Sequence, residues 1–209
     1  MDYKFPFDTC ETPNKTGIAQ PYSALFNVIN CFVIIFFLVK TKNIYAFILL
    51  SSILIFEIFH VFSHCVHIKG NIQTNVIHFL AYLINFSFFS LFYNYTNTLP
   101  HYGFIIYLLL LICFDIYSIF NLSIVYYFAS QSIIFVSLLL FYYPLFPKYI
   151  QNAINTIIIL VIAIVGLIFN EKYNCNKMLE AYPQFPFHIL IEILGIYLFY
   201  VICSNFYKL

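Results

Sequence analysis

Beyond residue 21 the chain alternates long apolar runs with short polar breaks. Seven runs stand out, over 22–39, 44–67, 75–93, 103–120, 122–143, 150–169 and 186–203. Each has the roughly 17–25 residues that a helix needs to cross a hydrocarbon core of about 30 Å. Backbone polar groups in lipid need partners within the chain, so runs of this kind are helices. The pattern predicts an all-α fold, a polytopic seven-transmembrane-helix bundle over 22–209, preceded by a polar N-terminal segment over 1–21. Lys40 to Asn43, Lys69 to Asn71, Thr98 to Pro100, and Pro144 with Pro147-Lys148 make clear breaks. The weakest break, Asn121 to Ser123, is kept because 103–143 is far too long for one crossing. Residues 170–184 read as the longest polar loop, and no internal repeat is visible.

The polar positions inside the spans are not scattered. Glu57, His60, His64 and His67 are spaced 3, 4 and 3 apart. At about 100° per residue they fall within roughly 80° of one another, on one stripe of a helix. An ionisable side chain at the bilayer centre costs about 2.5–3.5 kcal/mol on insertion scales, so four on one face point to a functional wall inside the bundle. Asn75, His78, Tyr82 and Asn85 make a similar stripe in the third span, and His188 and Glu192 are an i,i+4 pair in the seventh. Alternation of the spans brings these groups, Asp115 and the segment Asp8-Thr9-Cys10-Glu11 to the same half of the membrane. His101, in its polar break, reads as an interfacial residue.

Composition narrows the class. The chain is 63% hydrophobic and 8% charged, where a soluble domain has about 25% charged residues. A net charge of +1 without a basic block excludes a nucleic-acid partner. The first 21 residues hold no apolar stretch of the kind a cleavable signal peptide needs, so the first span is expected to act as the insertion signal. The lysines beside the spans favour the N-terminus outside and the C-terminus in the cytosol. The expected location is a multi-pass position in an endomembrane (ER or Golgi) or a viral or host membrane. Cys31, Cys65, Cys113 and Cys203 lie in or at the edge of spans and read as small apolar fillers. Cys10 and Cys175 lie in polar segments on one side, where they can pair if that side is oxidising.

Histidines with carboxylates at this density are zinc-ligand types, and catalytic zinc sites keep three protein ligands and an open position. Such a site supports hydrolysis. A proton- or metal-coupled transporter is the alternative, as is a non-catalytic structural or assembly protein. A transporter places ionisable groups in both halves of the membrane and often shows repeat symmetry; here they concentrate in one half.

Several short motifs resemble the alkaline ceramidase superfamily of seven-span transmembrane metal hydrolases. They are Cys10-Glu11, Gly17-Ile18-Ala19-Gln20-Pro21 with Asn27, Ser63 four residues before His67, and His188 with Gly195 at the seventh span. The resemblance implies zinc held by one histidine of span two and two of span seven, with a serine and an aspartate assisting. It also implies calcium at the N-terminal segment, with Asp8, Glu11, Asn14 and Gln20 as counterparts, and a Cys10–Cys175 disulfide. The chain departs from that pattern in having Gln184 before His188 and Glu192 after it. Early in span three His78 stands nearest to the family's aspartate. The resulting expectation is that His67, His78 and His188 converge on zinc, with Glu192, His64 or His60 as the fourth group or close around it. Ser63 would polarise the carbonyl, and Glu57, Asp115 or Glu192 would move the proton. The partners implied are the lipid bilayer and a lipid substrate whose amide (C–N) or ester bond is cleaved.

Overall fold

The structure is a computed structural model, and it describes residues 10–11, 17–66, 72–121, 124–183 and 185–209. His67, Asp8, Asn14 and Gln184 lie outside the described residues. Seven α-helices are present among those described: α1 (Pro21–Leu38), α2 (Ile44–Cys65), α3 (Ile72–Thr96), α4 (Tyr102–Asn121), α5 (Ile124–Tyr142), α6 (Lys148–Ala181) and α7 (Ile189–Phe206). All seven are long and apolar enough to cross a membrane, and the chain is a multi-pass integral membrane protein.

The helix ends follow local chemistry. Pro21 opens α1, where a missing N–H costs nothing. The Glu11 carboxylate accepts from the N–H groups of Tyr22 and Ser23, each at 3.1 Å, and from the Ser23 hydroxyl. Asn43 caps α2 by accepting from Tyr45 N at 2.8 Å and Ala46 N at 3.4 Å. Pro144 sits in the short 3-10 turn Tyr143–Leu145, and Pro147 precedes α6.

One element differs from the sequence reading. The segment from 170 is not a loop, because α6 runs on to Ala181 for 34 residues in all. At 1.5 Å per residue it is about 50 Å long, so its last turns project well past a core of about 30 Å. Helix formers such as Glu171, Lys172, Met178, Leu179 and Ala181 keep it helical, and the Cys10–Cys175 disulfide holds it with Cα atoms 5.6 Å apart.

Helix α1 packs on α2 and α7, α2 also on α3, α6 on α7, α3 on α5, and α4 on α5. The half of the bundle around the α1–α2 turn has an apolar interlock of Ile34, Leu49, Leu50, Phe92, Ile154 and Phe206. Its aromatic rings meet at 5.1–5.8 Å, as between Phe92 and Phe146 and between Phe88 and Phe206. The opposite half holds the polar stripes.

Candidate metal centre

The N-terminal end of α1 is stitched to the end of α2. Gln20 N donates to His64 O at 2.9 Å and Ala19 N to Cys65 O at 3.2 Å. On α2, His60 and His64 are one turn apart and face α7, whose entry carries His188 and, one turn in, Glu192. One ligand atom from each of His60, His64, His188 and Glu192 lies within 4.8 Å of the others, and this is the group of metal-ligating side chains found among the described residues.

The separations suit one ion. His60 Nε2 and His64 Nε2 are 3.0 Å apart. Glu192 Oε1 stands 3.0 Å from His188 Nε2, 3.5 Å from His64 Nε2 and 3.9 Å from His60 Nε2. Four ligands at 2.0–2.1 Å in a tetrahedron are about 3.3–3.4 Å from one another.

Outer oxygens aim the rings. Gln20 Nε2 donates to Glu11 O at 3.2 Å, which turns Gln20 Oε1 to His64 Nδ1 at 2.7 Å. An amide oxygen only accepts, so His64 carries its hydrogen on Nδ1 and presents the Nε2 lone pair to the centre. Glu171 Oε2 does the same for His188 Nδ1 at 2.8 Å. Glu57 Oε1 lies 3.9 Å from His60 Nδ1. Oxygen partners behind ligating histidines set their tautomer and raise their basicity. Both hydrogen-bonded oxygens sit next to the disulfide: Glu171 is one turn before Cys175, and Gln20 is bonded to the residue after Cys10. The strap is completed by Phe187 N donating to Cys10 O at 3.2 Å, just before His188.

The remaining predicted residues are placed as follows. His78 does not join the centre. Its ring packs on Tyr127 at 3.8 Å, and Tyr127 donates its hydroxyl to His78 O at 3.3 Å. The reason is that α3 packs on α2 and α5, whereas His188 and Glu192 arrive on α7 between α1 and α6. Asp115 is fully buried on α4 and away from the centre. It accepts from the hydroxyls of Tyr82 and Ser130 and from Gln131 Nε2 at 2.8 Å, a clasp that joins α3, α4 and α5. Ser63 is turned back into its own helix, donating to Phe59 O at 2.8 Å. Glu11 accepts with both carboxylate oxygens at the start of α1, and the other calcium candidates Asp8 and Asn14 lie outside the described residues. His67 falls outside the described residues, and the α2 pair at the centre is His60 with His64.

A cavity of about 250 Å³ opens from the centre into the bundle. Glu57, His60, His188 and Glu192 line one part, and Phe88, Phe135, Leu198 and Phe199 line another. Sequence reading missed Glu171, because it lay in a segment taken for a loop, and gave Asn27 only a motif position. The i,i+4 spacing of Glu171 and Cys175, and of Asn27 and Asn30 at i,i+3 within an apolar span, were the available signals. The chain matches no protein-family model, no curated protein and no solved structure.

Proposed function

We propose that this protein is a zinc-dependent intramembrane hydrolase of a lipid amide or ester bond, similar in kind to the alkaline ceramidases. The observation that carries the reading is the convergence of three imidazole Nε2 atoms and one carboxylate oxygen beside an internal cavity, with an oxygen bonded behind the rings of His64 and His188. Two Nε2 atoms 3.0 Å apart call for a proton or a cation between or beside them. The N₃O donor set suits zinc, which is bound by histidine and carboxylate in tetrahedral sites.

His60, His64 and His188 would hold the ion, with Gln20 keeping His64 aimed and Glu171 keeping His188 aimed. A bound divalent ion supplies Lewis acidity, which polarises a carbonyl oxygen and eases deprotonation of water. Glu192 would take the proton from water and pass it to the leaving nitrogen or oxygen, a role that needs it within hydrogen-bond reach of the reacting group. The apolar part of the cavity would receive the acyl chain.

A second reading has a specific support: Glu192 lies close enough to complete a tetrahedron, and closed four-ligand sites are structural. One variant separates the two. Glu192→Gln in the hydrolase keeps one metal per chain, measured by elemental analysis, and loses turnover on a panel of ceramides and ester lipids. In a closed site the same change empties the metal and there is no turnover to lose.

A further inference from the structure

The membrane face opposite the metal centre carries lysines and no carboxylates. Lys40 and Lys42 lie in the α1–α2 turn, Lys148 opens α6 and Lys208 follows α7, so all four are on one face. All four side chains are exposed. Following each helix away from its lysine, the first acidic residue met is Glu11, Glu57, Glu171 or Glu192, and each belongs to the other half of the bundle. The α3–α4 and α5–α6 connections on the lysine face hold no acid either. Tertiary contacts gather three of the lysines. Asn43 Nδ2, in the α1–α2 turn, donates to Leu209 O at 2.9 Å, and the Phe37 ring meets the Tyr207 ring at 5.3 Å. Lys208 is thereby held beside Lys40 and Lys42.

Aromatic rings set the depth of these ammonium groups. Lys40 Nζ lies 3.4 Å from the centroid of the Phe36 ring, and Lys208 Nζ lies 5.2 Å from that of Tyr207. A ring attracts the cation from one side and leaves N–H donors for an oxygen on the other. Tyr45 and Tyr149 are exposed at the same helix ends, and tyrosines concentrate where the bilayer meets water. The three ammonium groups therefore stand at headgroup depth, like charges with no carboxylate between them. We propose that Lys40, Lys42 and Lys208 form a docking surface for the anionic lipid headgroups of the adjoining leaflet. The Cys10–Cys175 disulfide closes at the opposite face, and disulfides persist on the oxidising side, so the lysine face is the cytosolic one. The cytosolic leaflet is the one that carries anionic lipid and attracts basic segments. A zwitterionic headgroup brings a cation of its own and gains little from the lysines. The surface lies at the other end of the bundle from the metal centre and stands whether or not the hydrolase reading holds.

The test is a lipid titration of the purified full-length protein in neutral detergent, read as the rise in unfolding temperature, with and without EDTA. The probes are dioctanoyl phosphatidylserine, dioctanoyl phosphatidylcholine and glycerophosphoserine, which has the headgroup without the chains. Phosphatidylserine should bind about tenfold more tightly than phosphatidylcholine. The gap should close in about 1 M salt, where charges are screened beyond about 3 Å. Replacing all three lysines, as Lys40→Gln, Lys42→Gln and Lys208→Gln together, should remove the preference and leave phosphatidylcholine binding unchanged. If that variant does not fold, Lys208→Gln alone should lower phosphatidylserine affinity about twofold, its share of the charge term. Lys177→Gln, on the projecting end of α6, should change nothing. Equal binding of the two lipids, or a preference that survives the triple change, overturns the proposal. So does loss of the preference in Lys177→Gln, which would put the surface on the other face. Binding of glycerophosphoserine as tight as that of the lipid would show a free-anion site, and loss of the preference in EDTA would put the headgroup on the metal; either overturns the docking surface.

Discussion

Within α2, Leu49, Leu50 and Ile53 are fully buried in one half of the bundle, while Glu57 and His64 are buried almost as completely in the other. The same helix, with α1 beside it throughout, builds two different interiors. In the first, side chains interlock with Phe92, Phe146 and Phe206, and nothing outside the chain is needed to complete the packing. In the second, carboxylates and imidazoles face one another, and several oxygens remain without donors. The polar half is tied at its end by the Cys10–Cys175 strap and the Glu11 cap. The comparison teaches that the apolar half sets the fold and the polar half is held in shape by it.

The sharpest way to break this contrast is to remove a ligand from the polar half. His188→Ala and His64→Ala should each lower metal content below detection in the purified protein, and turnover with it, while the helical circular dichroism stays. Unfolding of either variant would show that the histidines are structural clasps and that the two halves do not divide the work as described.

The converse change belongs in the apolar half. Phe92→Ala removes a ring that touches Phe88, Tyr142, Phe146 and Phe206. It should cost about 3–5 kcal/mol of stability, since large-to-small core changes leave a cavity as well as losing contact. The fraction that folds should still bind one metal per chain. Chemical denaturation together with metal analysis reads both quantities from the same sample.

The two halves were also unequally legible before the structure. The helices could be read because hydropathy and polar breaks report crossings directly. The stripe of Glu57, His60 and His64, and the pair His188 and Glu192, could be read because side chains three and four apart share a helix face. Alternation of spans then yields depth, and depth alone does not say which helices are neighbours around the bundle. Alternation put His78 and Asp115 at the depth of the centre, but they face α5 and α3, so both were drawn into a site they do not reach. Glu171 was lost for another reason: its segment is polar enough to read as loop, and only the long α6 brings it beneath His188.

Residues that aim the ligands should have intermediate effects. Glu171→Gln keeps an acceptor but removes the charge behind His188, and Gln20→Leu removes the oxygen behind His64. Loss of such partners typically lowers metal affinity 10–100-fold. Competition with a chelator of known affinity should show a shift of about that size, with the fold intact. Reduction of Cys10–Cys175 should move affinity in the same direction, because the strap positions both Gln20 and Glu171. An unchanged chelator midpoint in all three cases would mean that the rings are held by packing alone.

The smallest effect is assigned to Ser63, and it separates the resemblance from the geometry. In the family pattern the serine four residues before the span-two histidine assists catalysis, and Ser63 occupies that position relative to His67. In the structure its hydroxyl donates to Phe59 O at 2.8 Å, and it does not line the cavity. A serine bonded to the carbonyl four residues before it contributes little, because that carbonyl already accepts the helical N–H. Ser63→Ala should therefore change stability by about 1 kcal/mol or less. Metal content should not move, and turnover should stay within about twofold, a change worth only some 0.4 kcal/mol in activation free energy. A hundredfold loss of turnover with full metal occupancy would show that Ser63 leaves Phe59 when substrate binds and that the resting geometry is not the reacting one.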